Sequence, residues 1–412
     1  MERITLNPQT TENVLKYIKD NWEKSIRGAN EVVPYPFTSP SITGFYKDFF
    51  YWDNYFIHKG LMLDGVDYQV KHNLDNFKFF IDRFGYMPNA TSMLNRSQPP
   101  VFTKSVYEYY LFKQDESILQ EYLPAIFKEY NFWMTERILP CGLNTYGHSA
   151  TVHQLKYIYQ ILAERVAETR ETEEEQIAVA EDILTVAESG LDFNMRFVTD
   201  ESKIDSKKFI HLDINCFLYD MEKTVAKICN ILGEKERAAE FESYAEKRKA
   251  LINQYLFDKA QGIYLDYNFV SGEFSKTLSA VSLYPYVYGI STDDVGAKKI
   301  LQALELPFGI TPCAFRGKDA FYYQWDYPSV WPYTTWFAYT ALKNVGLIQD
   351  AHRVAKKYML DVNINFEKSG VIFEKYDGRN GNIGSNEYEA PEMLGWSAGV
   401  YRYFAEDMKD QL

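Results

Sequence analysis

Apolar residues recur at steps of three and four along almost all of this 412-residue chain. This spacing places apolar side chains on one helix face, so it predicts amphipathic helices. The predicted helices cover residues 10–22, 53–64, 67–84, 100–113, 117–137, 149–168, 173–190, 213–232, 235–257, 292–304, 330–346, 348–360 and 393–408. Strand patterns are short, at 262–269 and 371–376. About a dozen helices without a long sheet predict an all-α fold, an (α/α)6 toroid barrel of helix hairpins with small β elements in its loops.

The domain organisation follows from composition and length. No stretch rich in Pro, Gly or Ser divides the chain, and an apolar fraction of 46% is ample for a core. We therefore expect one domain over residues 1–412, because a large closed barrel can hold such a length. An open helical solenoid is the alternative, which the lack of a recurring repeat disfavours. Gly-, Pro-, Asn- and aromatic-rich loops at 36–53, 85–100, 138–149, 186–197, 307–330 and 371–396 would line one funnel if alternate connections share a rim.

Net charge and cysteines restrict the partners and the compartment. A net charge of −13 argues against nucleic acid and anionic membrane as partners. Four cysteines without CxxC spacing fit a reducing compartment. The first residues carry no apolar signal region, and no 18-residue apolar run occurs. The prediction is a cytoplasmic protein, with a removed signal peptide left open and the oligomeric state undetermined.

Aromatic residues are abundant, at 17% of the chain with 33 Tyr, 28 Phe and 7 Trp. Most of them are expected in the core. Dense Trp and Tyr beside Asp, Asn and Gln also suit a pocket for a small carbohydrate, whose C–H faces stack on rings. None of the six His residues forms a metal pair, and no GxSxG, P-loop or dinucleotide motif is present. No metal and no cofactor are therefore predicted.

Two segments carry the carboxylates best suited to catalysis. AESGLDFNMRF contains Asp192, FEKYDGRNG contains Glu374, and hydrolysis of a glycosidic bond needs two such carboxylates. Gly190 is expected to end a helix, which leaves Asp192 on the loop beyond it, as a helix cap or as an acid with a raised pKa. Asp53 is either an N-cap or a sugar-binding residue beside a Trp52 stacking platform; its position alone leaves both open.

The ordered motifs resemble those of trehalase-family glycoside hydrolases over nearly the whole chain. They are YWDNYF (51–56), MPN with NRSQPP (87–100), AESGLDF (187–193), HLDINCFLY (211–219), GIYLDY (262–267), QWDYP (324–328), FEKY (373–376), and EY with GWSAGV (387–400). The resemblance implies an inverting α/α-barrel glycosidase with Asp192 as general acid and Glu374 as general base. It also implies substrate-binding roles, and with neighbouring motif positions the predicted set is Phe45, Tyr51, Trp52, Asp53, Asn89, Arg96, Gln98, Glu188, Gln324, Trp325, Asp326, Glu387 and Trp396.

The departures from the family pattern concern the substrate. Phe45 and the segment 142–154 stand where trehalases carry arginines, and of the usual set only Arg96 remains. These changes are expected on the leaving-group side. The predicted substrate is trehalose or another α-glucoside, with a glucosylglycerate or mannosylglycerate as the alternative.

The inverting mechanism also predicts the distance between the two carboxyls. Two other classes of protein remain as alternative interpretations of the sequence. An inverting enzyme should hold its two carboxyls about 6.5–9.5 Å apart across one cleft. A non-catalytic sugar-binding barrel is a second interpretation. A sugar epimerase is a third, and the lack of evident paired pocket histidines argues against it.

Overall fold

The computed structural model describes residues 4–43, 46–199, 203–318 and 321–411. Fourteen α-helices lie within these ranges. They are α1 (Pro8–Ser25), α2 (Tyr51–Leu63), α3 (Asp67–Phe84), α4 (Phe102–Lys113), α5 (Glu116–Glu136), α6 (Val152–Leu162), α7 (Glu173–Glu188), α8 (Leu212–Ile231), α9 (Lys235–Tyr255), α10 (Tyr284–Val287), α11 (Asp294–Leu304), α12 (Pro332–Asn344), α13 (Ile348–Ser369) and α14 (Gly395–Asp407). None of these helices is both long and apolar enough to cross a bilayer.

The β structure consists of two-residue strands in the connections between helices. The strands are β1 (Ile26–Arg27), β2 (Phe37–Thr38), β3 (Phe209–Ile210), β4 (Phe257–Asp258), β5 (Ile263–Tyr264), β6 (Tyr267–Asn268), β7 (Glu273–Phe274), β8 (Glu305–Leu306), β9 (Gly309–Ile310), β10 (Ser329–Val330) and β11 (Tyr376–Asp377). All pairings are antiparallel: β1 with β2, β4 with β5, β8 with β9, β10 with β11, and β6 between β3 and β7. The small β elements predicted for the loops are confirmed.

Each predicted helix corresponds to an observed one, but two differ clearly in length. The predicted helix 149–168 is α6, which begins after a capping box at Thr151 and ends at Leu162. The predicted helix 348–360 is α13, which continues to Ser369 and ends at Gly370 in the left-handed region. Its last turns were missed because buried polar residues, among them Asp361, interrupt the apolar pattern. The predicted strand 371–376 is wrong except for its last residue, since only Tyr376 of that segment pairs in β11.

The chain forms two compact units. The first contains residues up to Asn76 together with those from Ser279 onward, and the second is Phe77–Leu278. The prediction of a single domain stays a prediction.

In the first unit, α2 packs closely against α14. The contact depends on glycine: a Cβ at Gly399 would lie 2.1 Å from the backbone oxygen of Phe56, and one at Gly60 would lie 3.1 Å from the Cα of Gly399. α12 and α13 form a neighbouring pair. Phe337 of α12 stacks at 4.1 Å on Tyr284 of α10. This packing fixes the start of α2, where Asp53 lies.

In the second unit, α8 packs against α9 and α6 against α7. A buried ion pair joins the first two helices, because Arg248 of α9 donates to both carboxylate oxygens of Glu222 on α8 at 2.9 and 3.0 Å. Leu155 of α6 packs with Ala180 and Leu184 of α7 in a small apolar cluster. The C-terminal end of α7 leads directly into the segment with Asp192.

Candidate active site

Glu374 lies in the first unit, in the irregular segment between α13 and β11. Its side chain is 3% exposed. The Tyr46 hydroxyl donates to Oε1 and the Tyr388 hydroxyl donates to Oε2, each at 2.7 Å. Burial raises the pKa of the Glu374 carboxyl, while Lys375 and the two phenols act in the opposite direction. The result is a buried carboxylate held at both oxygens.

Asp53 lies in the first turn of α2, where Phe50 is the N-cap residue. The N-cap interpretation of Asp53 is therefore wrong, because the helix begins two residues before it. Burial, together with the charge of Glu374, raises the pKa of Asp53 to about 7. Asp53 is thus an internal carboxyl within electrostatic reach of Glu374, and its sugar-binding role stays a prediction.

The glycine-rich loop, residues 378–390, carries Tyr388 toward Glu374. Lys375 is fully buried. Its ammonium lies 3.3 Å from the centre of the Tyr388 ring and donates to the Asn386 backbone oxygen at 3.1 Å. Glu387 has a φ of +61°, which is uncommon for a residue other than glycine. Its Oε2 accepts a hydrogen bond from the Gln324 backbone nitrogen at 2.6 Å. The loop is therefore attached at Tyr388 and at the two residues before it.

Three tryptophans, two of them predicted to bind substrate, pack together in the first unit. Trp325 stacks on Trp331 with ring centres 3.6 Å apart, and Trp396 meets both rings at their edges. The indole N–H groups of Trp325 and Trp396 are buried without a hydrogen-bond partner among the described residues. Such donors are suited to sugar hydroxyls.

Other predicted residues of this unit have contacts that favour a supporting role. Trp52 is 1% exposed and packs on Tyr333 and Phe337, so the structure favours core packing over a stacking platform. Tyr51 is fully buried. Asp326 is fully buried and accepts from the Tyr323 backbone nitrogen at 2.9 Å, which shapes its turn. Sugar contacts by these residues stay predictions.

Asp192 lies in the second unit, four residues beyond the end of α7. Gly190, with a φ of +77°, turns the chain out of the helix as predicted. Asp192 itself is half-buried, between the buried side chains of Leu191 and Phe193. The position on a loop, rather than at a helix end, excludes the capping interpretation for this residue.

Arg96, Asn89 and Gln98 lie close to this acid segment. Burial lowers the pKa of Arg96, and the charges of Asp192 and Glu188 act in the opposite direction, so Arg96 lies within their electrostatic reach. The Asn89 backbone nitrogen donates to the Arg96 oxygen at 2.9 Å. The Gln98 amide nitrogen would lie 3.8 Å from a Cβ at Gly190. The structure thus places Arg96 within electrostatic reach of Asp192, Asn89 beside Arg96, and Gln98 beside Gly190.

Glu188 has a different environment from that expected of a sugar ligand. It is fully buried and accepts from the backbone nitrogens of Ser97 at 3.0 Å and Gly147 at 2.6 Å. Arg137 donates to both of its oxygens, at 2.8 and 3.0 Å. These four bonds favour a positioning role, because they connect the segments with Arg96 and Asp192.

Four residues of these surroundings were not predicted. They are Tyr46, Tyr388, Arg165 and Arg196. Arg165 donates to the Asp192 backbone oxygen at 3.4 Å and covers the Phe193 ring at 4.8 Å. Arg196 is buried and pairs with Asp213 and Asp266. Tyr388 stands in the EY motif and Tyr46 in the predicted loop 36–53, but no local pattern marks a tyrosine as the partner of a distant glutamate. The predicted residue Phe45 lies outside the described residues.

Comparison with known proteins identifies the family. A family model described as Trehalase matches residues 5–409. The periplasmic trehalase of Pseudomonas aeruginosa is 28% identical over 431 residues, covering 96% of this chain and 77% of that protein. The periplasmic trehalase of Xanthomonas oryzae pv. oryzae is 29% identical over 420 residues, covering 92% and 70%.

Solved structures give the fold. Neutral trehalase from Saccharomyces cerevisiae matches with a TM-score of 0.75 at 20% identity, over 99% of this chain and 80% of that chain. A mannosylglycerate hydrolase from Thermus thermophilus, in complex with Tris and D-glycerate, matches with a TM-score of 0.67 at 15% identity, over 95% and 100%. The predicted all-α class with the α/α-barrel fold is confirmed.

The predicted cytoplasmic location is wrong, because the curated relatives are named periplasmic trehalases. That prediction rests in part on the cysteines, whose spacing fits a reducing compartment. None of Cys141, Cys216, Cys229 and Cys313 forms a disulfide in the described part of the chain. Burial raises the pKa of Cys229 to about 11 and that of Cys216 well above its usual value. Such thiols carry little reactive thiolate, so their presence does not require a reducing compartment.

The motifs, the family match and the relatives agree along almost the whole sequence. From residue 5 to residue 409 this chain belongs to the trehalase family, and it is a glycoside hydrolase, as its motifs predict.

Proposed function

We propose that this chain hydrolyses the α-glucosidic bond of trehalose with inversion of configuration. Asp192 gives its proton to the glycosidic oxygen as the bond to the anomeric carbon breaks. Water attacks that carbon from the opposite face, and Glu374 takes the proton of the water. The predicted separation of about 6.5–9.5 Å between the two carboxyls belongs to this proposal.

One observation carries the assignment of the base. Glu374 is a buried carboxyl whose two oxygens accept hydrogen bonds from Tyr46 and Tyr388, each at 2.7 Å. These donors stabilise its ionised form, which is the form that a general base needs. The choice of trehalose is supported by relatives named trehalases, which align over 92–96% of this chain.

The test combines product stereochemistry with two variants. Proton NMR of fresh digests of trehalose should show equal amounts of α- and β-glucose at early times, whereas a retaining enzyme would release only α-glucose. Asp192→Asn and Glu374→Gln should each lower kcat by about 10²–10⁴-fold. Asp294→Asn, an exposed position on α11, is the control and should retain full activity.

A substrate panel decides between the alternatives. The panel contains trehalose, kojibiose, nigerose, maltose, isomaltose, glucosylglycerate and mannosylglycerate. Cleavage of glucosylglycerate or mannosylglycerate in preference to trehalose would reject the proposed substrate. Binding of sugars without cleavage of any member would favour the non-catalytic barrel.

A further inference from the structure

We propose that Tyr46 and Tyr388 are positioning residues for the base: their hydroxyls hold Glu374 ionised and oriented, and Tyr388 makes this state depend on docking of the glycine-rich loop. This inference rests on the proposed function of Glu374 as the base. It assigns Tyr46 and Tyr388 a role that the motifs do not indicate.

The geometry of the two hydrogen bonds is the first support. Each phenol donates a hydrogen bond to a different oxygen of Glu374, so together they fix the plane of the carboxylate. Burial and the neighbouring charge of Glu374 raise the pKa of both phenols. Both hydroxyls therefore keep their protons and act as donors while Glu374 is ionised.

The low exposure of Glu374 makes these donors necessary. At 3% exposure the carboxylate has lost most of its hydration, and burial favours the neutral form. A neutral Glu374 cannot take a proton from water. The phenols oppose this effect by donating to both oxygens of the ionised carboxylate.

The position of Tyr388 on the glycine-rich loop is the second support. Tyr46 precedes α2, whereas Tyr388 belongs to a loop that is attached at Tyr388 and at the two residues before it. Lys375 holds Asn386 and the Tyr388 ring, and the Gln324 backbone holds Glu387. A Cβ at Gly384 would approach the Lys375 side chain to 2.8 Å, so the loop lies directly against it. Release of this loop would remove one of the two donors from the base.

The experiment compares Tyr46→Phe, Tyr388→Phe and the double variant with the unaltered chain. The pH profile of kcat/KM on trehalose should show its acidic limb moved to higher pH by about one unit in each single variant and by more in the double variant. On that limb kcat/KM should fall by about 10-fold, with the loss in kcat rather than in KM. Hydrogen exchange of residues 384–390 should rise in Tyr388→Phe and stay unchanged in Tyr46→Phe.

The control is Tyr339→Phe. It removes a hydroxyl on α12 that donates a hydrogen bond to Asp407 of α14. It should change stability without moving the acidic limb. If the unaltered chain is active and the acidic limb of the pH profile does not move in either single variant, the positioning role is wrong. Unchanged exchange of the loop in Tyr388→Phe would overturn the coupling. Absence of any hydrolysis by the unaltered chain would instead reject the proposed function.

Discussion

At the scale of single residues, two buried carboxyls of the first unit have opposite surroundings. Glu374 accepts two phenol hydrogen bonds. Asp361 on α13 is fully buried, and neither of its oxygens has a hydrogen-bond partner among the described residues. Burial raises the pKa of Asp361 well above its usual value, and the nearby Asp377 acts in the same direction. Lys357 acts in the opposite direction. The chain therefore bears a buried carboxyl without a hydrogen bond in the described part of the chain, and a Cβ at Gly381 of the glycine-rich loop would lie 3.0 Å from its Oδ1.

Replacing Asp361 with Asn should stabilise the protein in a pH-dependent way. The folded state holds the Asp361 proton more tightly than the unfolded state, whose pKa is about 3.9. The stability of the unaltered chain therefore falls as the pH rises above about 4. The amide of the variant cannot ionise, so its advantage should be absent near pH 4 and reach about 2 kcal/mol or more at pH 7.

Urea unfolding at a series of pH values from 4 to 8 measures this difference. Asp294→Asn serves as the control, since that exposed side chain should give the same curve as the unaltered chain. If the stability advantage of Asp361→Asn is the same at all pH values, the Asp361 carboxyl does not titrate with a raised pKa in the folded state.

At the scale of elements, two arginines hold the segment 189–197 that follows α7 and carries Asp192, one near its middle and one at its far end. Arg196 donates to Asp213 and Asp266 at 2.7–3.0 Å and anchors the far end. Arg165, from the connection after α6, contacts the Asp192 backbone oxygen and the Phe193 ring. The sequence departs from the family pattern at two arginine positions, and Arg165 is a cation beside the acid that the motif comparison did not reveal.

Replacing Arg165 with Ala should weaken the general acid more than the rest of the site. Trehalose needs protonation of its leaving oxygen, whereas fluoride leaves α-glucosyl fluoride with less help from an acid. We expect kcat on trehalose to fall by about 10-fold and kcat on the fluoride to fall much less. Parallel rate measurements on the two substrates check this difference.

Arg170→Ala is the matched control for that measurement, because Arg170 lies in the same connection but pairs with Glu168. It should leave the ratio of the two rates unchanged. Equal losses on both substrates in Arg165→Ala would indicate a general structural effect rather than positioning of the acid.

At the scale of the whole molecule, the first unit joins elements from the beginning and the end of the chain. α2 packs on α14, and Arg402 of α14 donates to Asp64 at the end of α2, at 2.8 Å. The close approach at Gly399 leaves no space for a side chain. This long-range contact positions Asp53 in the same unit as Glu374.

Replacing Gly399 with Ala should therefore destabilise the protein by about 3 kcal/mol, since a backbone oxygen at 2.1 Å cannot move away as a side chain could. Thermal and urea unfolding measure this loss. Gly28→Ala is the control, because no atom lies within 4 Å of a Cβ there, and it should change stability by less than about 0.5 kcal/mol. Equal stability of the two variants would contradict the tight packing of α2 on α14.

The sequence by itself determined the elements that depend on neighbours along the chain. The apolar period predicted α3 with its observed bounds, and Gly190 predicted the end of α7, because helix pattern and left-handed glycine are local properties. The motifs determined the family. Local reasoning failed where buried polar residues broke the pattern, as in the last turns of α13.

Only the tertiary structure decided the partners of the candidate catalytic residues. Tyr46 and Glu374 are 328 residues apart, and the three residues Arg196, Asp213 and Asp266 come from separate segments. The sequence offers 33 tyrosines and 57 acidic residues, and their types alone do not select the pairs. A buried carboxylate needs a donor at hydrogen-bond distance, because it has been removed from water. Only the folded backbone determines which donor lies there.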